Sequence, residues 1–382
     1  MENISYLNKN NYQLRAIAYR LIMLILLSIT IGSCYSIETD CVDIPNNPGP
    51  LPPLLPTEDF WELIPGSPSN VERMTCDVNG NLWAVTSEYS YVYVNGNLSV
   101  IPSENSDVYV YNGNSWQQRG SVGGFVNAIA VAPNGDIYTI GTVGDFSSLN
   151  RSTNGGFMWN NIFNVNKIEL TEFAEIVISH SGEVYFATPN NVYVPNSNNW
   201  RRATTSGISG IISSPLALSP NGTLYAIERT SSLYYVVHST DAGNSWLRST
   251  GFSASMVHRL TVVDNNTIFV AAYSDGILKS TDGGQSWTQC CPTIPERTTS
   301  AFDIIYNSTM GELLAHIDSY TFTSNCDVLR STDLGESWEL RDSGLPSFRL
   351  LLGGYNFALS TNIYYLRSYL DANRVYRYIC NP

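Results

Sequence analysis

Short apolar runs alternate with turn-forming residues along the chain from about residue 59 to its end. A typical unit is an apolar run, an Asn-Gly-like turn and a second run that carries an aromatic residue, as in Leu218–Tyr225. Asn-Gly between alternating apolar positions is typical of a β-hairpin. No helical periodicity appears after residue 34. The pattern therefore predicts a repetitive all-β chain, with units centred on Trp83, Tyr138, Tyr185, Tyr225, Phe269, Leu314 and Tyr364.

A second motif, Ser-x-Asp-x-Gly-x-x-Trp, recurs at the same period and predicts another hairpin in each of four units. Its Ser and Asp can accept backbone N–H groups across a turn, its Gly permits positive φ, and its Trp can pack back over the hairpin. We call these segments the box turns and expect a structural role for them. Their Asp or Asn and their Trp positions are Asn154, Asp241, Asp282, Asp333, Trp159, Trp246, Trp287 and Trp338.

Successive unit centres lie 55, 47, 40, 44, 45 and 50 residues apart, which is the length of a propeller blade. The seventh unit ends at 375–379 without a box turn, and Phe60–Ile64 can supply its missing outer strand. Such closure removes the open edge of a linear array. The sequence therefore predicts a seven-bladed β-propeller of four-stranded antiparallel blades, closed by the N-terminal strand. A parallel β-helix is the alternative, although its repeats are much shorter.

The box turns resemble the Asp-box, or BNR repeat, of sialidases, sortilin-type receptors, xyloglucanases and photosystem II assembly factors. This resemblance covers residues 59–382 and implies a propeller whose boxes lie on the face away from the ligand. Blade number and length are similar to those of photosystem II assembly-factor-like proteins, which implies binding of a protein partner. Sialidases have six blades and an Arg-Ile-Pro motif, whereas this chain has seven units and Leu63-Ile64-Pro65. Both departures argue against a sialidase.

The N-terminus is predicted to be separate from the propeller. Basic residues precede an apolar segment at 21–31 that is short for a bilayer span, followed by Ile31-Gly32-Ser33-Cys34. This end resembles a bacterial lipobox, with Cys34 as the lipidated residue; an ordinary secretory signal or an uncleaved anchor are the alternatives. We expect a signal peptide at 1–33, a Pro-rich tether at 34–58 and the propeller at 59–382. The expected location is the bacterial cell envelope, at the outer membrane or cell surface, or else the protein is secreted.

Composition excludes several classes of function. The chain has a net charge of −13 and no basic stripe, which disfavours nucleic acid and anionic membrane surfaces as partners. The four His have no ligand spacing, so we expect neither a metal nor a cofactor. An even number of cysteines besides Cys34 permits disulfides in an exported protein. Cys41 with Cys380, and Cys326 with Cys290 or Cys291, are the candidate pairs, whereas Cys76 lies in an apolar strand as a buried thiol.

Repeat alignment places charged residues at one end of the innermost strands. Ten residues before the hairpin aromatics stand Arg73, Glu175 and Arg259, and one further residue of spacing adds Asp303. This end lies opposite the box turns, and we call it the channel face. Loops expected on that face add Asp145, Glu228, Arg229, Arg297, His316, Asp318 and Tyr320.

These charges can pair with one another, form a polar pocket for a glycan or peptide, or supply a carboxylate pair for glycoside hydrolysis. The ligand-binding candidates are Arg73, Glu175, Arg259, Asp303, Arg297 and Asp318. We expect a monomeric binding or assembly module for a glycan or protein partner, attached to a membrane only through its lipid. The alternative is an exo-acting glycoside hydrolase. Periodic aromatics could stack on sugars, but in a repeat protein they more commonly pack between blades.

Overall fold

Four-stranded antiparallel sheets contain nearly all of the described strands in this computed structural model. Every described residue belongs to the compact unit Pro56–Pro382. The structure describes residues 60–87, 89–94, 97–102, 104–143, 146–166, 168, 174–273, 275–290, 299–319, 327–341, 343–345, 356–360, 363–368 and 374–379. The predicted signal peptide, Cys34 and the tether lie outside these ranges. None of the described residues forms a helix long and apolar enough to cross a bilayer.

Seven such sheets are present, which confirms the predicted seven-bladed propeller. In blades one to three the strands, from the innermost outwards, are β2 (Val71–Cys76), β3 (Leu82–Thr86), β6 (Asn105–Tyr111), β7 (Trp116–Gly123); β8 (Phe125–Val131), β9 (Ile137–Val143), β10 (Phe146–Ser152), β11 (Asn160–Asn166); and β12 (Glu175–Ile178), β13 (Val184–Thr188), β14 (Asn191–Asn196), β15 (Asn199–Arg202).

Blades four to six repeat this order. Their strands are β16 (Ile211–Leu218), β17 (Leu224–Arg229), β18 (Tyr234–Ser239), β19 (Leu247–Arg248); β20 (Val257–Val262), β21 (Ile268–Ala272), β22 (Gly276–Ser280), β23 (Thr288–Gln289); and β24 (Thr299–Asn307), β25 (Glu312–Ser319), β26 (Asp327–Ser331), β27 (Glu339–Leu340). Each innermost strand contacts the innermost strands of both neighbouring blades, which makes a closed ring.

The seventh blade is completed by the N-terminal strand. It consists of β28 (Asn356–Leu359), β29 (Tyr364–Ser368), β30 (Arg374–Ile379) and, outermost, β1 (Phe60–Leu63). Strand β1 pairs antiparallel with β30, and Glu62 forms an ion pair with Arg377 directly across the ladder. The predicted closure is confirmed. Strand β1 therefore supplies the fourth strand of blade seven and covers the edge of β30 that would otherwise be unpaired.

Trp61 takes the place that a box-turn Trp occupies in another blade. Its backbone N–H donates to the carbonyl of Ser343 at 2.8 Å, as Trp246 donates to Ser206 at 2.9 Å. A glycine follows in both loops, at Gly344 and Gly207. A Cβ on either glycine would lie 2.1 or 2.2 Å from the carbonyl oxygen of the Trp. The N-terminal strand therefore repeats the inter-blade contact of an internal outer strand.

Blade one contains a hairpin that the sequence pattern did not predict. Strands β4 (Tyr89–Val94) and β5 (Asn97–Pro102) form a separate two-stranded sheet between β3 and β6. This insertion lengthens the first repeat and explains the 55-residue spacing between the first two unit centres. The hydrophobic pattern of a short apolar run is the same whether the run forms a blade strand or an additional hairpin.

Hydrophobic clusters fill the interfaces between neighbouring blades. One such cluster lies at each of the seven interfaces, including the interface between blades seven and one. Trp246 packs with blade-three residues, and Trp61 packs between blades six and seven. The box-turn aromatics thus serve inter-blade packing, because flat blades must bury both faces.

The box turns are stabilised by their own Ser and Asp side chains. In the turn of blade five, Ser280 Oγ donates to Asp282 and accepts the backbone N–H of Gly284 at 2.9 Å. Asp282 also accepts the N–H groups of Gln285 and Ser286 at 3.0 and 2.9 Å. Burial raises the pKa of Asp282, but these donors outweigh it and lower the pKa to about 2. The carboxylate is therefore a structural acceptor in this turn.

Candidate functional site

Four predicted residues lie in the innermost strands, at one repeat position. Arg73 is in β2, Glu175 in β12, Arg259 in β20 and Asp303 in β24. Each lies opposite the residue two positions after its unit centre, for example Arg73 opposite Val85. The backbone of Asp318 lies in β25, but its side chain is not among the described parts of the structure. Asp145, Arg297 and Tyr320 lie entirely outside the described residues.

β-bulges precede this position in three of the four strands. The pairing register shifts between Val71 and Arg73, between Val257 and Arg259, and between residues 301 and 303. A bulge adds one unpaired residue and redirects the side chains beside it. These bulges could not be predicted from the sequence, because one extra residue in an apolar strand is smaller than the variation in repeat length between blades.

Arg259 joins two carboxylates that come from different blades. Its Nη1 lies 3.0 Å from Glu175 Oε1 of blade three, and its Nε lies 3.6 Å from Asp303 Oδ1 of blade six. Glu175 also accepts the backbone N–H of Leu216 at 2.9 Å, and Asp303 accepts that of Phe357 at 3.0 Å. Side chains of three blades and backbone groups of two others therefore form one polar cluster, which we call the Arg259 cluster.

Arg259 has the most exposed side chain of the three ion-paired residues in this cluster. The side chains of Glu175 and Asp303 are 17% and 4% exposed, whereas that of Arg259 is 38% exposed. Burial raises the pKa of Glu175, while Arg259, the Leu216 N–H and Arg73 act to lower it. Arg73 shares the repeat position of the cluster residues, and it donates hydrogen bonds to backbone carbonyl groups. Its Nε donates to the carbonyl of Asn127 at 2.6 Å and its Nη1 to that of Glu72 at 2.8 Å.

A second buried ion pair, which the sequence analysis did not predict, joins Glu72 of the innermost strand β2 to Arg367 of β29. Arg367 Nη1 lies 3.2 Å from Glu72 Oε2 and also donates to the carbonyls of Val71 and Glu72 at 2.8 Å. Both side chains are almost fully buried. Arg367 stands three residues after its unit centre, the same repeat position as the buried Glu228. A search for charged residues three positions after each unit centre would have found Arg367 and Glu228.

Two sequence candidates from the predicted loops, Glu228 in β17 and His316 in β25, are buried in strands. His316 lies in β25 rather than in a loop, and it contacts Phe302, which also contacts His258. Burial lowers the pKa of His258 to about 4, and burial together with His258 lowers that of His316 to about 3. Both imidazoles are therefore neutral near pH 7. Within the described residues no cluster of His, Cys, Asp and Glu could hold a metal ion.

The sequence also predicted a buried thiol at Cys76 and two disulfides. Cys76 is a half-buried free thiol whose pKa is raised by burial and by Asp77. Cys290 lies within the described residues, whereas Cys41, Cys291, Cys326 and Cys380 lie outside them, so the proposed disulfides stay predictions. The carboxylates of Glu175 and Asp303 both face one guanidinium and both accept backbone N–H groups. Each carboxylate is therefore held in place by an ion pair and by a backbone donor.

The fold and the cluster together define a seven-bladed propeller with charged residues at one end of its innermost strands. No protein-family model and no curated protein sequence matches the chain. Among solved structures it is similar to "YCF48 bound to D1 peptide", with 15% identity, TM-score 0.53, and coverage of 85% of this chain and 96% of that one.

Two further structures share the fold. YCF48 from Cyanidioschyzon merolae has 12% identity and TM-score 0.54, with 84% and 98% of the two chains covered. Virginiamycin B lyase from Staphylococcus aureus has 9% identity and TM-score 0.56, with 85% and 99% covered. At these identities the similarity establishes the propeller fold, which hosts unrelated functions.

Proposed function

We propose that this protein is a binding module that holds a segment of a protein partner on its channel face, at the Arg259 cluster. The observation that carries this proposal is the partly exposed side chain of Arg259, held between two carboxylates that backbone N–H groups fix in place. Donors and acceptors that are already oriented lose little entropy when a ligand binds. A planar guanidinium also offers a ligand several N–H groups in a fixed geometry.

A peptide partner is favoured over the other candidates by two considerations. The similar YCF48 structure contains a D1 peptide, so this architecture can bind a peptide. A polypeptide offers both carbonyl acceptors and N–H donors, which match the mixed charges of the cluster. A glycan has similar groups and is the second candidate. Glycoside hydrolysis is less favoured, because it requires one carboxyl group that can deliver a proton while the other acts separately.

Arg259→Lys and Arg73→Lys are each expected to weaken partner binding about tenfold, or ~1.4 kcal/mol. Lysine keeps the positive charge but cannot reproduce the forked donors, so the free energy of unfolding should change by less than about 1 kcal/mol. The protein is first screened on peptide and glycan arrays. The strongest ligand is then titrated against both variants, and thermal unfolding is measured in parallel.

Asp282→Ala is the control for this titration. Loss of the box-turn acceptor should lower the free energy of unfolding by about 1–3 kcal/mol, because several N–H donors lose their partner. Binding at saturation should be unchanged, since the box turns lie on the opposite face. Wild-type affinity in both Lys variants would remove the Arg259 cluster from the binding site. Loss of binding in Asp282→Ala at unchanged stability would move the site to the box turns.

Export with a lipid anchor is part of the proposal and rests on the sequence around Cys34. Cys34→Ser is expected to release the protein from the membrane fraction, because one residue would carry the whole anchor. Fractionation of cells that express the full-length chain tests this, with the wild-type protein as reference. Persistent membrane association of the variant would indicate an uncleaved signal helix.

A further inference from the structure

A polar cleft lies on the channel face, at the end of blade four. It has a volume of about 490 Å³, within the usual range of ligand sites, and it is lined by Ser209, Gly210, Ile211, Arg229, Thr230 and Ser231. These residues lie at the start of β16, at the end of β17 and in the adjoining loops. The start of β16 and the end of β17 are both on the channel face. The Arg259 cluster includes none of the lining residues.

Buried Glu228 holds the wall of this cleft in place. Its Oε1 accepts the backbone N–H groups of Ser209 and Gly210 at 3.0 and 2.7 Å. Arg248 donates to both carboxylate oxygens at 2.7 Å, so the charge of Glu228 is neutralised inside the protein. A Cβ on Gly210 would lie 2.6 Å from the carbonyl oxygen of Arg229, so only glycine fits at this position. The cleft wall is therefore rigid.

Arg229 is the cation of the cleft. Its Nη2 donates to the amide oxygen of Asn190 at 2.6 Å, and no carboxylate of the described residues lies within ion-pair distance of it. Apart from Glu228, which is paired with Arg248, residues 184–240 contain neither Asp nor Glu in a chain that has 33 of them. A neutral amide orients the guanidinium without cancelling its charge.

We propose that this cleft binds the carboxylate of an Asp or Glu side chain in the partner protein. Arg229 pairs with the carboxylate, and the polar residues Ser209 and Ser231 line the same cleft. Ile211, which is 43% exposed, offers an apolar contact to a neighbouring aliphatic residue of the partner. The inference rests on the proposed function only in taking the channel face as the binding face.

Short blocked peptides test this assignment directly. Acetyl-Leu-Glu-amide and acetyl-Leu-Gln-amide are titrated into the full-length protein and followed by NMR chemical shifts. The Glu peptide should bind at least tenfold more tightly than the Gln peptide. Arg229→Gln should abolish this preference, and Gly210→Ala should reduce it by displacing the wall without changing charge. Arg201→Gln is the matched control, since Arg201 contacts the neutral acceptors Ala242 and Asn244 in a box turn.

Several results would overturn the inference. Equal affinity for the two peptides, or an undiminished preference in Arg229→Gln, would show that Arg229 does not recognise a carboxylate. An equal loss in Arg201→Gln would indicate general surface charge. Tighter binding of inorganic phosphate, or of acetyl-Leu-Gln with a free carboxyl terminus, would assign the cleft to another anion. If the array-selected ligand is lost in Arg259→Lys while Arg229→Gln leaves peptide preference intact, the proposed function stands and this inference fails.

Discussion

Replacing Trp61 by alanine is expected to lower the free energy of unfolding by about 3–5 kcal/mol. Trp61 is fully buried between blades six and seven, and its Nε1 donates to the carbonyl of Arg341 at 2.8 Å. The variant loses this packing and also weakens the strand that joins the two ends of the ring. Equilibrium unfolding in urea measures the effect, and aggregation near the transition should increase because the edge of β30 becomes accessible.

Trp246→Ala is the matched control for ring closure. Trp246 is equally buried and donates its backbone N–H to Ser206 as Trp61 donates to Ser343. The two variants should therefore lose similar stability if the N-terminal strand is an ordinary outer strand of a blade. A loss below about 1 kcal/mol for Trp61→Ala alone, the size of an ordinary surface substitution, would contradict closure by β1.

Arg259→Met is expected to lower the free energy of unfolding by about 2–3 kcal/mol near pH 7, because it leaves two buried carboxylates without their cation. The value lies below that of a fully buried pair, since the Arg259 side chain is partly exposed to water. Chemical denaturation at a series of pH values measures the effect. Lys279→Met is the control, since it removes a pair with the mostly exposed Glu336 and should cost under about 1 kcal/mol.

The loss in Arg259→Met should depend on pH in a defined direction. Burial already raises the pKa of Glu175, and removal of the guanidinium raises it further. A carboxyl group whose pKa is higher in the folded state binds a proton more readily there than in the unfolded chain. The destabilisation should therefore be small below the unfolded pKa of a Glu, about 4.3, and grow as the pH rises towards 7. A loss that does not change with pH would show that the Arg259 cluster is not electrostatically coupled.

The fold could be predicted because its determinants are local and repeated. Asn-Gly turns and the box turns mark hairpins by backbone conformation and side-chain hydrogen bonds, which depend on a few consecutive residues. The hairpin at 89–102 was missed because its strands have the same alternation as blade strands. The bulges before Arg73 and Arg259 were missed because one unpaired residue leaves no mark in the apolar pattern.

The candidate site could be predicted in part, because repeat alignment converts sequence position into position around the ring. Arg73, Glu175, Arg259 and Asp303 were found in this way. Their contacts could not be predicted, since Glu175 and Arg259 are 84 residues apart and meet only through ring geometry. Glu228 and His316 were expected in loops but are buried in strands. Burial depends on the neighbouring blade, which the sequence of one repeat does not specify.

Backbone hydrogen exchange with and without saturating amounts of the array-selected ligand tests the channel-face account most directly. The amides of Leu216 and Phe357 donate to Glu175 and Asp303, so they report on the Arg259 cluster. The amides of Gly243 and Gly284 donate to Ser239 and Ser280 and report on the box turns. The account predicts slower exchange at Leu216 and Phe357 in the complex, with Gly243 and Gly284 unchanged. Protection confined to Gly243 and Gly284 would place the ligand on the opposite face and contradict it.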